Sequence, residues 1–477
     1  MSNQAAEPKK KQKEFLETCA LLFILTCIVA ALTWVIPAGE FEFQELNGRN
    51  VVVPGTYHVI ERHGQTPWDI LTATIKGFQN NNALIFMTLF AGAAIYILQQ
   101  TKSIDVVFNR FVNRKGVKDP VIIFCVMLFL TIGGATGVFA NPAVALLPVG
   151  AMISTRMGLD RAAGVFMVYL GCFSGFNVGW ASSGLQVAHP IAELPIFSGM
   201  PVRVFIHACN FILIYLFVCR YFKMIRRDPT SSLNYAPGME VSQYMGMGAM
   251  GGEGAQEENR EVAAKDIVNL LAAVGAIILI IFGALKLKWA FTEFTAVFLL
   301  LSIFLGLYNG YGINGTTRMF IAGCGTMVGA AFVIGFATAL GVVLENGKIL
   351  HTVVYYLSIP ITKVGAVVGA SVMYFANLVI NLFIPSGSGQ AAAVMPIMIP
   401  IADLAGITRQ VAVQAYQFGD GFTNDIVPTA PVLMAMLGIA GVSWKKWAKF
   451  YLPVLMIQAV FAVVMLTILQ TAGWTGL

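Results

Sequence analysis

Apolar stretches of about 20 residues recur along nearly the whole chain, separated by short polar or basic segments. A helix of that length crosses roughly 30 Å of hydrocarbon. The pattern predicts about nine membrane-spanning helices, near 14–37, 82–98, 159–189, 202–221, 266–286, 290–308, 319–344, 408–438 and 446–470. The first run, Glu14 to Pro37, is too long for a signal-peptide core and lacks a small-residue cleavage site, so it reads as a true span. Two more apolar segments, 120–157 and 362–405, have arms too short for two crossings joined by a proper loop. Each reads as a re-entrant helical hairpin whose tip stops near mid-membrane, one entering from the cytoplasm and the other from outside. The fold class is an all-α polytopic membrane protein. Between the first two spans, VVVPGTYHVI alternates weakly and predicts a small hairpin that caps the fold.

Composition supports the same picture, with 57% hydrophobic and 11% charged residues against about 25% charged in a soluble domain. The net charge of +6 sits mostly in alternate loops, as the positive-inside rule requires. Those loops carry Lys9, Lys10, Lys11 and Lys13; Arg110, Arg114, Lys115 and Lys118; Arg220, Lys223, Arg226 and Arg227; and Lys445, Lys446 and Lys449. This places the N-terminus in the cytoplasm, and no nucleic-acid partner is needed to explain the charge. TKSIDVVFNRFVNRKG reads as an interfacial amphipathic helix. The seven cysteines show no CxxC spacing and read as small packing residues. The five histidines give no metal-ligand pattern, and His207 reads as a hydrogen-bonded packing residue.

Sliding the chain by 248 positions aligns LLPVGAMISTRMGLDRAAGVFMVYLGCFSG with VMPIMIPIADLAGITRQVAVQAYQFGDGFT, matching Pro148 with Pro396, Gly158 with Gly406 and Arg161 with Arg409. A second block, YILQQTKSIDVV on VVLENGKILHTV, aligns at 246. The expectation is a tail (1–13), a first half (14–227), a polar, mobile cytoplasmic linker (228–265) and a homologous second half (266–477). Charge bias puts Arg161 inside and its mate Arg409 outside, so the repeats have inverted topology. Secondary transporters often have this architecture, with sites where the repeats meet.

Candidate chemistry lies where polar residues and helix breakers interrupt the apolar runs. TIGGATGVFANPAVALLP carries Thr136, Gly137 and Asn141, and NLFIPSGSGQAAAVMP carries Ser386, Gly387, Ser388 and Gln390. Their partners are GCFSGFNVGWASS, with Ser174 and Asn177, and FGDGFTNDIVPTAP, with Asp420, Thr423, Asn424 and Asp425. Irregular backbone at membrane depth is tolerated where it is buried in protein or lines a cavity. A charge at the bilayer centre costs about 2.5–3.5 kcal/mol on insertion scales, and FGDGFTNDIVPTAP has no Lys or Arg. Asp420 and Asp425 therefore call for Na⁺ (with Asn424 as a further oxygen ligand), a proton, or the cationic group of a substrate. The competing structural reading is that both aspartates cap half-helices and the small residues serve close helix packing.

IPSGSGQAAAVMPIMIPIADLAG followed by QAYQFGDGFTNDIVPTAP resembles the anaerobic four-carbon dicarboxylate carrier (DcuC-like) family of the ion transporter superfamily, in particular its YfcC-like branch. The resemblance extends over nearly the whole chain. It implies inverted repeats, each with a hairpin and a broken helix, coupling to Na⁺ or H⁺, no other cofactor, and a bacterial cytoplasmic (inner) membrane. It also implies substrate and ion sites at Thr136–Asn141, Ser174–Asn177, Ser386–Gln390 and Asp420–Asp425, and a homodimer as in superfamily relatives. GATG, PSGSG and TND stand where related dicarboxylate symporters have Ser-Asn-Thr signatures. The YfcC-like branch is linked to basic amino acid antiport, such as arginine for ornithine. Two carboxylates with no arginine in the segment favour an amino acid over a four-carbon dicarboxylate. The rival from another class is a cation/proton antiporter without organic substrate. No channel-like polar ring, and no nucleophile–base set or HExxH cluster of an enzyme, is evident in the sequence.

Overall fold

The apolar runs fold as helices, and glycine, proline and polar residues mark where they end. The structure is a computed structural model that describes residues 7–46, 49–53, 55–103, 106, 119–137, 143–245, 261–287 and 289–476. Helix α1 (Glu7–Val35) leads to four short strands, β1 (Gly39–Glu40), β2 (Phe43–Leu46), β3 (Arg49–Val52) and β4 (His58–Val59). Strand β2 pairs antiparallel with β3, and β1 with β4, so one hairpin nests inside another. Helix α2 (Pro67–Asn80) starts at a reciprocal Thr66–Asp69 capping box, and α3 (Asn82–Gln100) follows it.

A helical pair, α4 (Asp119–Ala135) and α5 (Ala143–Arg156), occupies the first predicted hairpin. The next predicted span is broken into α6 (Arg161–Val165), a π-helical turn (Phe166–Leu170), α7 (Gly171–Phe176) and, after six irregular residues, α8 (Ser183–Ile191). Helix α9 (Met200–Arg227) closes this half. The second half runs α10 (Ala264–Lys286), α11 (Phe291–Tyr308), α12 (Gly312–Asn346) and α13 (Leu350–Lys363). A second helical pair, α14 (Ala366–Asn381) and α15 (Gly387–Leu404), precedes α16 (Arg409–Asn424), α17 (Pro431–Ala440) and α18 (Trp444–Thr471). Among the described residues, six helices are long and apolar enough to cross a membrane: α1, α3, α9, α11, α12 and α18.

Left-handed backbone recurs at matching places in the two halves: Lys102 (φ 58°) and Lys348 (φ 55°), Gly158 (70°) and Gly406 (72°), Glu193 (56°) and Gly441 (67°). The segment after each break crosses to the other half's helical pair. Helix α8 packs on α15, and α17 packs on α5. The two large apolar cores are shared accordingly: α17 joins α3, α5 and the π-turn in one, and α8 joins α14, α15 and α16 in the other. Helix α12 lies along α1, α2 and α3.

The linker differs from expectation over 228–245, which is docked rather than loose. The buried Asp160 carboxylate accepts from Ser232 and Tyr221 hydroxyls, each at 2.5 Å. Asn234 accepts from Ala162 N–H at 2.8 Å and donates to Ala440 O and Gly441 O at 2.9 and 3.1 Å. Polar composition concealed this because the segment is held by side-chain hydrogen bonds together with a few buried apolar residues, Leu233, Tyr244 and Met245. Residues 246–260, and most of the predicted interfacial helix (104–105 and 107–118), lie outside the described residues.

Candidate functional site

Helix α16 carries the acidic segment. Thr408 caps its start by accepting from Val411 N–H, and Asp425 ends it as Pro428 and Pro431 approach. Every residue from Gln410 to Asn424 is buried. Gln410, Gln414, Gln417, Gly421 and Asn424 nevertheless fall on one face at helical spacing, with Asp420 at its edge. A polar stripe on a fully buried helix must be matched by other polar groups or by a ligand.

At the end of this stripe, Asp425 Oδ2 accepts from Asn177 Nδ2 and from Tyr451 O–H, both at 2.7 Å. Trp447 Nε1–H donates to the Asp425 main-chain carbonyl at 2.7 Å. Asn381 Nδ2 donates to Asp420 O at 2.8 Å and to Asn424 Oδ1 at 3.0 Å. Tyr169 O–H donates to Asn424 O at 2.8 Å. The Oδ1 atoms of Asp420, Asp425 and Asn177 are all buried with no protein partner.

Of the residues singled out in the sequence, Asn177, Gly387, Asp420, Asn424 and Asp425 come together. A Cβ on Gly387 would sit 3.2 Å from Asp420 Oδ2 and 3.4 Å from Phe176 Cζ, so any side chain here would press on the carboxylate. Tyr416 O–H donates to Gly387 O. A Cβ on Gly421 would run into the backbone of Asn177, so the two breaks touch backbone to backbone.

Other predicted residues have local duties. Ser386 caps α15 by accepting from Gly389 N–H, and Ser388 is exposed. Gln390 Nε2 is turned toward Asn377, within its own helical pair, at 3.1 Å from both Asn377 O and Oδ1. Thr423 O–H donates to Gly419 O one turn back, and Thr136 O–H to Gly133 O. Gly137 (φ 77°) seats the first tip against Ser182 and Ser183. Asn141 lies outside the described residues.

A buried polar chain ties the two halves together behind Asp425. Tyr451 reaches Gln458 Oε1 at 3.1 Å, Gln458 Nε2 donates to Asn210 Oδ1 at 3.1 Å, and Asn210 Nδ2 donates to Ser174 O at 2.8 Å. The Ser174 hydroxyl lies 2.8 Å from that of Thr131, which in turn meets His207 Nε2 at 2.8 Å. Tyr451 thus faces two acceptors, Asp425 Oδ2 and Gln458 Oε1, with a single proton to donate. The sequence reading passed over Tyr451, Asn381 and Arg203. Only Arg203, an ionisable residue inside an apolar span, left a signal that could have been followed.

A cavity of about 520 Å³ lies beside the second tip, lined by Glu40, Thr338, Glu345, Lys348, His351 and Gly389, among others. It connects the loop after α1 to the α14–α15 turn. Lys348 Nζ and Glu40 Oε1 form an ion pair of 2.8 Å at its rim.

Residues 15–471 match the family model described as DcuC, C4-dicarboxylate anaerobic carrier, and the chain belongs to that family. It is 26% identical to YfcC of Escherichia coli (strain K12), provisionally named a basic amino acid antiporter, over 91% of this chain and 92% of that one. It is 24% identical to an uncharacterised protein of Haemophilus influenzae (strain ATCC 51907 / DSM 11121 / KW20 / Rd), over 94% and 96% of the two chains. Among solved structures, the YdaH transporter of Alcanivorax borkumensis matches at a TM-score of 0.40 and 18% identity, over 97% and 98% of the chains. MtrF of Neisseria gonorrhoeae, described with a class of antimetabolite efflux pumps, matches at 0.42 and 17%, over 94% of each. At these scores the two structural likenesses carry no argument about mechanism.

Proposed function

We propose that this member of the carrier family is a secondary active transporter of the bacterial cytoplasmic membrane that moves a basic amino acid by alternating access. On this reading the helical pairs α4–α5 and α14–α15 are re-entrant hairpins of two inverted repeats, nine helices span the bilayer, and the N-terminus is cytoplasmic. The observation that carries the proposal is that three buried oxygens on this helix and its partner break, on Asp420, Asp425 and Asn177, have no partner in the protein. Unmatched oxygens in an apolar interior are costly, and a bound cation, whether Na⁺, a proton or a substrate ammonium group, would offset that cost. Coupling is to Na⁺ or H⁺, or the protein exchanges one amino acid for another.

A four-carbon dicarboxylate is the second reading, favoured by the family's description. Thermal unfolding of the purified protein with arginine, ornithine, fumarate or succinate, each in Na⁺ or choline, separates the two. Saturation at a hundred times Kd adds about 2.7 kcal/mol, and a rise in Tm with arginine or ornithine is the expected result. A rise only with fumarate or succinate selects the second reading. A response to Na⁺ alone selects a cation antiporter.

A further inference from the structure

Arg203 sits in the first turn of α9 and is fully buried. Its NH1 donates to Gln414 Oε1 at 2.6 Å and to Gln417 Oε1 at 2.7 Å. Its NH2 lies 3.4 Å from His189 Nε2, and the Trp474 ring covers the guanidinium at 5.5 Å. Among the described residues no carboxylate lies within ion-pair distance of it. Three penalties therefore coincide. A buried guanidinium is poorly solvated, no opposite charge pairs it, and it sits at the positive end of a helix dipole. Amide carbonyls and an aromatic face reduce that cost but do not neutralise the charge. Arg203 Nε and Gln414 Nε2 are buried N–H donors with no partner in the protein, the complement that a carboxylate would satisfy.

The position of this group along α16 gives it a second meaning. Gln414 and Gln417, which hold Arg203, share the polar stripe that ends at Asp420 and Asn424. At 1.5 Å rise and 3.6 residues per turn, Asp420 lies about 4.5–9 Å along the axis and about 60–120° around it from those two glutamines. The stripe therefore offers a buried cation with free donors at one end and a buried carboxylate with a free oxygen at the other. An α-amino acid with a cationic side chain carries the opposite charges at a comparable separation. A dicarboxylate would match the first end and be repelled at the second.

We propose that Arg203, with Gln414, anchors the carboxylate of the transported solute, while Asp420 receives its cationic group, so that an amino acid lies along α16. This rests on the amino acid transporter reading above and assigns the residues that hold the two charged ends of the solute.

The test uses the full-length purified protein and three probes: arginine, decarboxylated arginine (agmatine) and succinate. Each is titrated by thermal stabilisation against wild type, Arg203→Gln and Arg203→Lys. Wild type should half-saturate with arginine at least about tenfold below agmatine, the scale of a lost charged hydrogen bond. Arg203→Gln should close that gap by weakening arginine to the agmatine level while leaving agmatine unchanged, and Arg203→Lys should restore part of it. Equal affinity of wild type for arginine and agmatine overturns the anchor without any variant, so a poorly folding substitution cannot rescue it. A gap that survives in Arg203→Gln overturns it too, while leaving amino acid transport intact. Binding of succinate but not arginine, lost in Arg203→Gln, refutes the amino acid assignment and the functional reading, and keeps only the anion anchor. No response of wild type to any probe overturns the anchor, and a Na⁺ titration then decides the transporter reading separately.

Discussion

Asn177 donates to Asp425 Oδ2 at 2.7 Å across a sequence separation of 248 residues, the spacing at which the two halves align in sequence. Asn210 and Gln458, also 248 apart, are hydrogen-bonded at 3.1 Å. On the repeat reading proposed above, such pairs would lie close to an axis relating the halves, with Asp425 as the carboxylate there. One segment supplies an amide and the other a charge.

Removing that amide should be felt in stability and in cation response together. Asn177→Ala leaves Asp425 with one fewer donor, and a buried acceptor that loses its partner costs about 1–3 kcal/mol. Thermal unfolding of Asn177→Ala, Asp425→Asn and the double variant checks this. The double variant should be less destabilised than the sum, by about 0.5–3 kcal/mol of coupling. Strict additivity would show that the pair does not interact.

The two glycines at the contact should behave differently. Gly387→Ala places a methyl 3.2 Å from Asp420 Oδ2, close enough to displace a ligand there but not to unfold the helix. Its Tm should stay within a few degrees of wild type while ligand stabilisation and transport in proteoliposomes fall at least about tenfold, the cost of 1–2 kcal/mol of overpacking. Gly421→Ala meets the backbone of Asn177, which cannot rotate away, and should fail to accumulate as folded protein. A Gly421→Ala variant with wild-type Tm would contradict the backbone contact.

Tyr451 tests which cation matters. Its one proton faces Asp425 Oδ2 and Gln458 Oε1, and the phenol meets both if Asp425 carries a proton and donates to the phenol oxygen, or if the Gln458 amide turns its NH2 toward it. If H⁺ is the coupling ion, Tyr451→Phe should change the pH profile of transport. If Na⁺ is, the variant should lower Tm, by about 1–2 kcal/mol for a lost hydrogen bond, without moving that profile. Uptake between pH 5.5 and 8.5 in wild type and variant separates the two.

The rim pair predicts a small acid effect. Lys348, by its hydrogen bond, holds the Glu40 carboxyl below the usual carboxylate range. A depressed folded-state value means the stabilisation is complete above the unfolded glutamate pKa of about 4.3 and is lost as pH falls below it. Both side chains are substantially exposed, so solvent screening limits the pair to below about 1 kcal/mol. Glu40→Gln should therefore differ slightly from wild type in Tm at pH 7, and the two curves should converge on acidification. A large gap at pH 7 would mean that the cavity rim has a greater structural role.

The docked linker predicts a long-range stability effect. Asn234 bonds Ala162 on one side and Ala440 and Gly441 on the other, so Asn234→Ala should lower Tm by the equivalent of about 1–3 kcal/mol. Substitutions within 246–260 serve as the comparison. Equal effects in both segments would argue that Asn234 is no tie.

Hydrophobic periodicity by itself determined that the chain is helical and suited to a bilayer, because a helix that must bury its backbone polar groups in lipid needs a long apolar run. Polar residues and breakers within those runs marked GCFSGFNVGWASS and FGDGFTNDIVPTAP as irregular, since proline and glycine act locally. The sequence reading set those segments opposite one another, and the structure brings Asn177 to Asp425 and Gly387 to Asp420.

What the sequence could not fix is which side chain turns where. Gln390 looks like a site residue by its neighbours, yet it faces Asn377, because rotamer choice answers to packing. Tyr451 belongs to an ordinary apolar span and reaches Asp425 only through the approach of α18. Arg203 lies 211 residues from Gln414, and one-dimensional spacing cannot show that α9 delivers a cation to a helix whose buried stretch, Gln410–Asn424, has none. Local chemistry set the breaks and the apolar faces; the tertiary fold alone decided which charges share a buried face, because contact between distant segments depends on how every intervening helix packs.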